Sequence, residues 1–270
     1  MTDVARGPEL SALAGARTAR LVDEVRRLDT DGLRAPSELD GWSRLTILCH
    51  LRYGASALLR MTRAVLAGRE ASYYPEGRAA QRPRTLEPEP SEAPEDVVTS
   101  LSSTAHELDE EWARLGEADW ARDVVEPADN PDLGTVPLGR LGLARLLEVD
   151  VHGTDLGIGF PDWSTTLVDV ALPTRLAWLA TRRTNHRAFD RTLQGSWMLV
   201  ASDGPTWLVS VDRERVESRP AVADDDPTAT IEGSARDLLA LLLGRPATRP
   251  LLVRGDTGFG HAFSTAFPGP

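Results

Sequence analysis

The sequence contains no lysine, since all 30 of its Lys+Arg residues are arginine. That excludes a Schiff base on the chain, a catalytic lysine and a P-loop, whose lysine must reach the phosphates. Cysteine is almost as scarce. The single Cys49 excludes an intrachain disulfide and any Cys-x-x-Cys zinc or redox site. Long apolar runs are missing too: the longest, Leu238 to Leu243, is far short of the ~20 residues a membrane-spanning helix needs. The opening Met-Thr-Asp-Val-Ala-Arg-Gly-Pro lacks the apolar segment of a signal peptide, so a cytoplasmic protein is expected. Positive charge is in deficit. A net charge of -11 argues against nucleic acid or an anionic membrane as partner and leaves small molecules.

What is present is a chain of 270 residues with 41% hydrophobic and 26% charged residues, an ordinary globular composition long enough for two domains. Apolar residues recur at helical spacing from Glu9 to Leu28, from Ser43 (an N-cap) to Ala67 with Gly68 as the stop, and from Glu95 to Leu115. Between Glu70 and Pro94 proline, glutamate and arginine dominate and no period appears, which predicts a long ordered loop or lid. A connection bearing Pro127 and Gly139 leads to a fourth helix, Leu141 to Gly157, whose apolar residues surround nearly its whole circumference. Residues 167–183 read as a joining helix. After Leu193 short strand-like runs at Trp197–Val200, Thr206–Val211, Val216–Ser218 and Ala229–Ile231 precede a helix from Ser234 to Gly244 and a last strand, Pro250–Val253. The expected fold class is α+β, with a helical bundle over residues 1–165 and a smaller α+β domain over residues 166–270.

Into the apolar fourth helix the sequence sets Glu148 and His152, which an i, i+4 spacing stacks on one face, with Arg145 and Asp155 near the same stripe. A buried carboxylate requires a partner, which an arginine, a proton or a metal ion can each supply. On the second helix Ile47, His50, Gly54, Ala57 and Met61 share a face, so His50 points toward the core with small residues beyond it. Two imidazoles and one carboxylate form the ligand set of catalytic zinc sites that leave a coordination position open. A buried His–Glu hydrogen bond and an ordinary core histidine account for the same pattern. His106, His186 and His261 have no comparable partners.

Asp40-Gly41-Trp42-Ser43 ahead of His50, together with Arg145-x-x-Glu148-x-x-x-His152-x-x-Asp155-Leu156-Gly157, resembles the mycothiol-dependent maleylpyruvate isomerase family. Ile231-Glu232-Gly233-Ser234-Ala235-Arg236-Asp237-Leu238-Leu239, followed by Gly244-Arg245, is similar to that family's C-terminal domain. The resemblance implies a DinB-like four-helix bundle whose metal ligands map to His50, Glu148 and His152, holding Zn2+ or another divalent ion that activates the thiol of mycothiol. It also implies a small electrophilic substrate: isomerisation of maleylpyruvate, transfer of the thiol, or thiol exchange in natural-product biosynthesis. A binding protein without turnover is the alternative of another class. Asp155 and Arg145 lie within a turn of the implied ligands and are expected to orient them. If the substrate carries two carboxylates, Arg245, or else Arg254, is the guanidinium expected to bind one. Cys49, rotated about 100° from His50 on the helix, is a poor nucleophile candidate and reads as a core residue.

Overall fold

The structure is a computed structural model that describes residues 6–130, 133–182, 193–212 and 215–269. The chain divides into two compact units, Met1–Leu167 and Val168–Pro270.

The first unit is built on four long helices, α1 (Gly7–Val25), α3 (Arg44–Leu66), α5 (Pro94–Ala113) and α7 (Gly139–Asp155). Helices α1 and α3 each pack against both α5 and α7, giving a four-helix bundle. Each helix begins where the sequence offers a start. Pro8 and Pro94 sit in the first turns of α1 and α5, where a missing N–H costs nothing, and the Ser43 side chain accepts from the Thr46 N–H at the head of α3. Leu21, Ile47, Leu48, Leu51, Leu101 and Val149 form part of one core cluster and are at most 1% exposed. Each fully buried side chain of this size contributes about 1.5–3 kcal/mol. Helix α7 also buries Arg145, Asp150, His152 and Asp155. Asp150 is bonded to Arg17 Nε and to the Ser164 N–H and hydroxyl, so its charge is matched locally.

Short elements fill the connections. Helix α2 (Thr30–Arg34) is capped by Asp29, and helix α6 (Glu117–Trp120) precedes strand β1 (Asp123–Val124), which pairs antiparallel with β2 (Val136–Pro137). Residues 70–94, expected as an irregular segment, include helix α4 (Arg78–Thr85). It contains Pro83 and has no buried residue, so it has no apolar stripe that a periodicity argument could detect.

In the second unit, helix α8 spans Thr165–Arg182, crossing the division between the units. Strands β3 (Gln194–Ala201), β4 (Thr206–Asp212), β5 (Arg215–Pro220), β6 (Ala229–Gly233) and β7 (Leu252–Gly255) form one sheet in the order β5-β4-β3-β6-β7. The β3–β6 pairing is parallel and the other three are antiparallel. Helices α9 (Ala235–Leu243) and α10 (Thr257–Ala266) pack on it. Trp197, fully buried, stacks on Phe259 with centroids 4.2 Å apart and donates to the Phe259 carbonyl at 2.8 Å. Helix α9 ends at Gly244, whose φ of 64° is the left-handed conformation that glycine adopts without strain. The α+β class is as expected; α10 is an addition to the expected elements.

Candidate metal centre

The turn before α3 is pinned to the end of α7: the Glu38 N–H donates to the Asp155 carbonyl at 2.8 Å and Arg44 Nε to the Leu156 carbonyl at 2.9 Å. This docking sets Trp42 against two histidines. Its ring stacks on His152 with centroids 5.9 Å apart and meets His50 edge-on at 5.6 Å, while the two imidazoles lie 4.9 Å apart.

Glu148 lies between the histidines. Its Oε2 is 2.7 Å from His50 Nε2 and 3.3 Å from His152 Nε2. One donor atom from each of His50, Glu148 and His152 falls within 4.8 Å of the others. Donors about 2.1 Å from a tetrahedral zinc ion are about 3.4 Å apart, so the cluster is on the scale of such a site. The Glu148 side chain is 39% exposed while those of both histidines are 11% exposed, so the carboxylate marks the open side. His152 Nδ1 is 2.9 Å from Asp155 Oδ2. A histidine held at Nδ1 by a carboxylate presents Nε2 in a fixed direction, the arrangement common behind metal-binding imidazoles. His50 Nδ1 is buried and has no hydrogen-bond partner among the described residues. The donor types, their spacing and the carboxylate behind His152 fit a divalent ion.

The electrostatics belong to a coupled cluster. Burial works to raise the Glu148 carboxyl, but attraction from His50 and hydrogen bonds from both imidazoles hold it well below the usual carboxylate range. Burial lowers His50 despite its pairing with Glu148. For His152 burial also acts downward, but the bonds to Asp155 and Glu148 prevail and bring it up to about 9. Metal binding to such a cluster displaces protons.

Arg145 is buried and donates from Nη1 to the Leu51 carbonyl at 2.8 Å, while Nη2 has no hydrogen-bond partner among the described residues. Its direct bond therefore goes to the α3 backbone beside His50. Gly54, one turn after His50, makes room for a residue from the proline-rich segment: a Cβ there would lie 3.2 Å from the Tyr73 hydroxyl. Burial and the neighbouring Glu148 push that phenol well above its ordinary pKa, so it stays protonated. Neither Tyr73 nor Arg82, whose guanidinium lies 5.6 Å from the Trp42 ring centroid, stands out in the sequence. Both come from the segment without a period.

Cys49 is fully buried in the bundle core, and burial pushes its thiol up to about 11, which keeps it protonated and unreactive. His106 is exposed with Glu110 3.5 Å away, His261 is exposed, and His186 lies outside the described residues. In the second unit Arg245 follows α9 and donates from Nη1 to the Leu243 carbonyl at 3.2 Å, a favourable place for a cation at a helix C-terminus. Arg254 is exposed, 3.5 Å from Glu232.

Two histidines and a carboxylate converging from two helices of a four-helix bundle are an arrangement from which bundle folds can build a metal site. The profile of the mycothiol maleylpyruvate isomerase N-terminal domain matches residues 14–157, and the chain belongs to that family. Two crystal structures are similar over nearly the whole chain. One is titled mycothiol-dependent maleylpyruvate isomerase: it is 21% identical, with 96% of this chain and 97% of that chain covered and a TM-score of 0.66. The other, a histidine-to-alanine mutant under the same enzyme name, is 20% identical with the same coverage and a TM-score of 0.64. At these identities they bear on the fold alone. Among curated proteins there is no match.

Proposed function

We propose that the chain is a mycothiol-dependent enzyme in which His50, Glu148 and His152 hold one zinc or similar divalent ion. On this reading it adds the thiol of mycothiol to a small electrophile, as in maleylpyruvate isomerisation, or transfers the thiol onto one. The observation that carries the reading is the convergence of three donors from α3 and α7 at a carboxylate open on one side. Family membership supports it. When bound, a divalent ion supplies the Lewis acidity that deprotonates a thiol at neutral pH.

The chain's own residues then have distinct tasks. Asp155 holds His152 at Nδ1 and fixes its orientation. Trp42 covers both imidazoles on one side and excludes water from them. Arg145 ties α7 to the α3 backbone one residue beyond His50. With Cys49 buried and protonated, the chain presents no thiolate of its own, so a thiol nucleophile comes from outside. Among the described residues the cluster holds three donors, which leaves a coordination position for an exchangeable ligand and disfavours a closed storage or structural site. Arg245 in the second unit binds one substrate carboxylate, so that Arg245→Ala raises KM or lowers kcat without changing zinc or mycothiol binding. Unchanged kinetics would leave Arg245 as a helix-end charge.

The test is incubation of zinc-loaded protein with mycothiol and a panel of electrophiles including maleylpyruvate, followed by mass spectrometry of the products. Conversion that requires the thiol is the expected result. Turnover in the complete absence of any low-molecular-weight thiol would contradict the reading.

A further inference from the structure

Helix α4 is unusual in the first unit because it adds nothing to the core. It has no buried residue and has Pro83 within it. Its attachment comes from the segment before it: the Tyr53 hydroxyl donates to the Tyr73 carbonyl at 2.6 Å, Arg60 to the same carbonyl at 2.9 Å, and Asn130 to the Tyr74 carbonyl at 2.6 Å. Those bonds hold in place a short helix rich in arginine. Arg84 is neutralised by Glu76 at 2.6 Å, and Arg78 lies over the Tyr74 ring. Arg82 differs from both. It is half-buried, with its guanidinium over the Trp42 ring, and among the described residues that guanidinium has no hydrogen-bond or ion-pair partner.

Trp42 is the ring that touches both His50 and His152, so Arg82 is one aromatic side chain removed from the two imidazoles. A guanidinium held over an aromatic face has its N–H groups available, and a planar guanidinium can bind a carboxylate bidentately. The carboxylates of the cluster do not compete for it, since Glu148 is bonded to both histidines and Asp155 to His152. In a chain of net charge -11, a cation held without an acidic partner against the ring that covers both imidazoles has room for an anion brought from outside.

We propose that Arg82 is a substrate-binding residue that receives a carboxylate of the electrophile and so selects anionic over neutral substrates. This rests on the functional reading above for the identity of the site, though the anion binding can be measured without turnover. The experiment is calorimetric titration of the zinc-loaded, thiol-free protein with maleate and, in parallel, with its uncharged diamide. The wild type is expected to bind maleate in preference to the diamide. Arg82→Gln is expected to weaken maleate binding by about 10- to 100-fold, the loss of a charge-assisted hydrogen-bonded pair. Arg82→Lys should recover part of the affinity, and zinc content and mycothiol affinity should be unchanged in both variants. Wild-type protein that does not bind maleate, or Arg82→Gln that binds it as tightly as wild type, would overturn the proposal. Failure of the metal or thiol reading would appear instead as absent zinc or absent mycothiol binding, with the dependence of maleate binding on Arg82 intact.

Discussion

Two carboxylates, one in each unit, are held below their ordinary pKa by different kinds of neighbour. Asp237 of the second unit is 2% exposed and bonded to Ser234, whose hydroxyl is 2.8 Å away, and to the Thr248 N–H at 2.7 Å, partners 3 and 11 residues from it in the chain. Burial acts to raise it, and these local bonds more than compensate. Glu148 of the bundle has its shorter contact with His50, 98 residues away, and is 39% exposed. A carboxylate satisfied by its own cap and the loop behind it serves the fold. One set between imidazoles from two helices and left open on one side has donor capacity that folding alone does not require. The same contrast separates Asp150, matched by Arg17 and Ser164 within the bundle, from Glu148 two residues earlier on α7.

The sharpest way to break the contrast is to remove a donor. His152→Ala should abolish stoichiometric zinc binding and thiol-dependent turnover while the bundle stays folded, as metal analysis beside circular dichroism would establish. A variant with full metal content and activity would put Glu148 in the same class as Asp237. Next in size, Asp155→Asn should weaken metal affinity or activity by about 10- to 100-fold through loss of the grip on His152 Nδ1. A competitive chelator titration measures this, and unchanged affinity with unchanged turnover would assign Asp155 to fold alone.

Asp237→Ala should leave the metal untouched and cost about 1–2 kcal/mol of stability through the lost acceptor for the Ser234 hydroxyl and the stranded Thr248 N–H. Because the folded carboxyl is depressed, its stabilisation is fully present above the ordinary aspartate value near 3.9 and is lost as pH falls through the lower folded value. Thermal melts should therefore show the gap between wild type and Asp237→Asn shrinking below about pH 4. Smallest of all, Cys49→Ala should cost about 1 kcal/mol of packing and leave turnover unchanged. A large loss of activity in that variant would mean that a thiol of the chain takes part in the chemistry.

The parts of the fold legible in the sequence are those with a long period. His50 on the face of Ile47, Gly54, Ala57 and Met61, and Glu148 above His152 on an apolar helix, follow from helix geometry, but the distances between the two faces do not. Helix α4 escapes because it buries nothing, and the contact of Arg82 with Trp42 joins two segments that no periodicity relates. Helix α10 is a different kind of omission. Phe259, Phe263 and Phe267 stand at i, i+4, i+8 behind the capping Asp256, a helical signal weakened by Gly258 and Gly260. The hairpin of β1 and β2 is two residues per strand, too short for an alternation to show.

The proposed chemistry of this chain depends on His50, Glu148 and His152 holding a metal ion. The most direct measurement is elemental analysis of the purified protein after zinc loading and removal of weakly bound ions, for the wild type and for the single alanine variants of those three residues. One ion per wild-type chain and a loss of that ion in each variant is the predicted result. A wild-type chain that binds no ion, or variants that bind as many as the wild type, would contradict it.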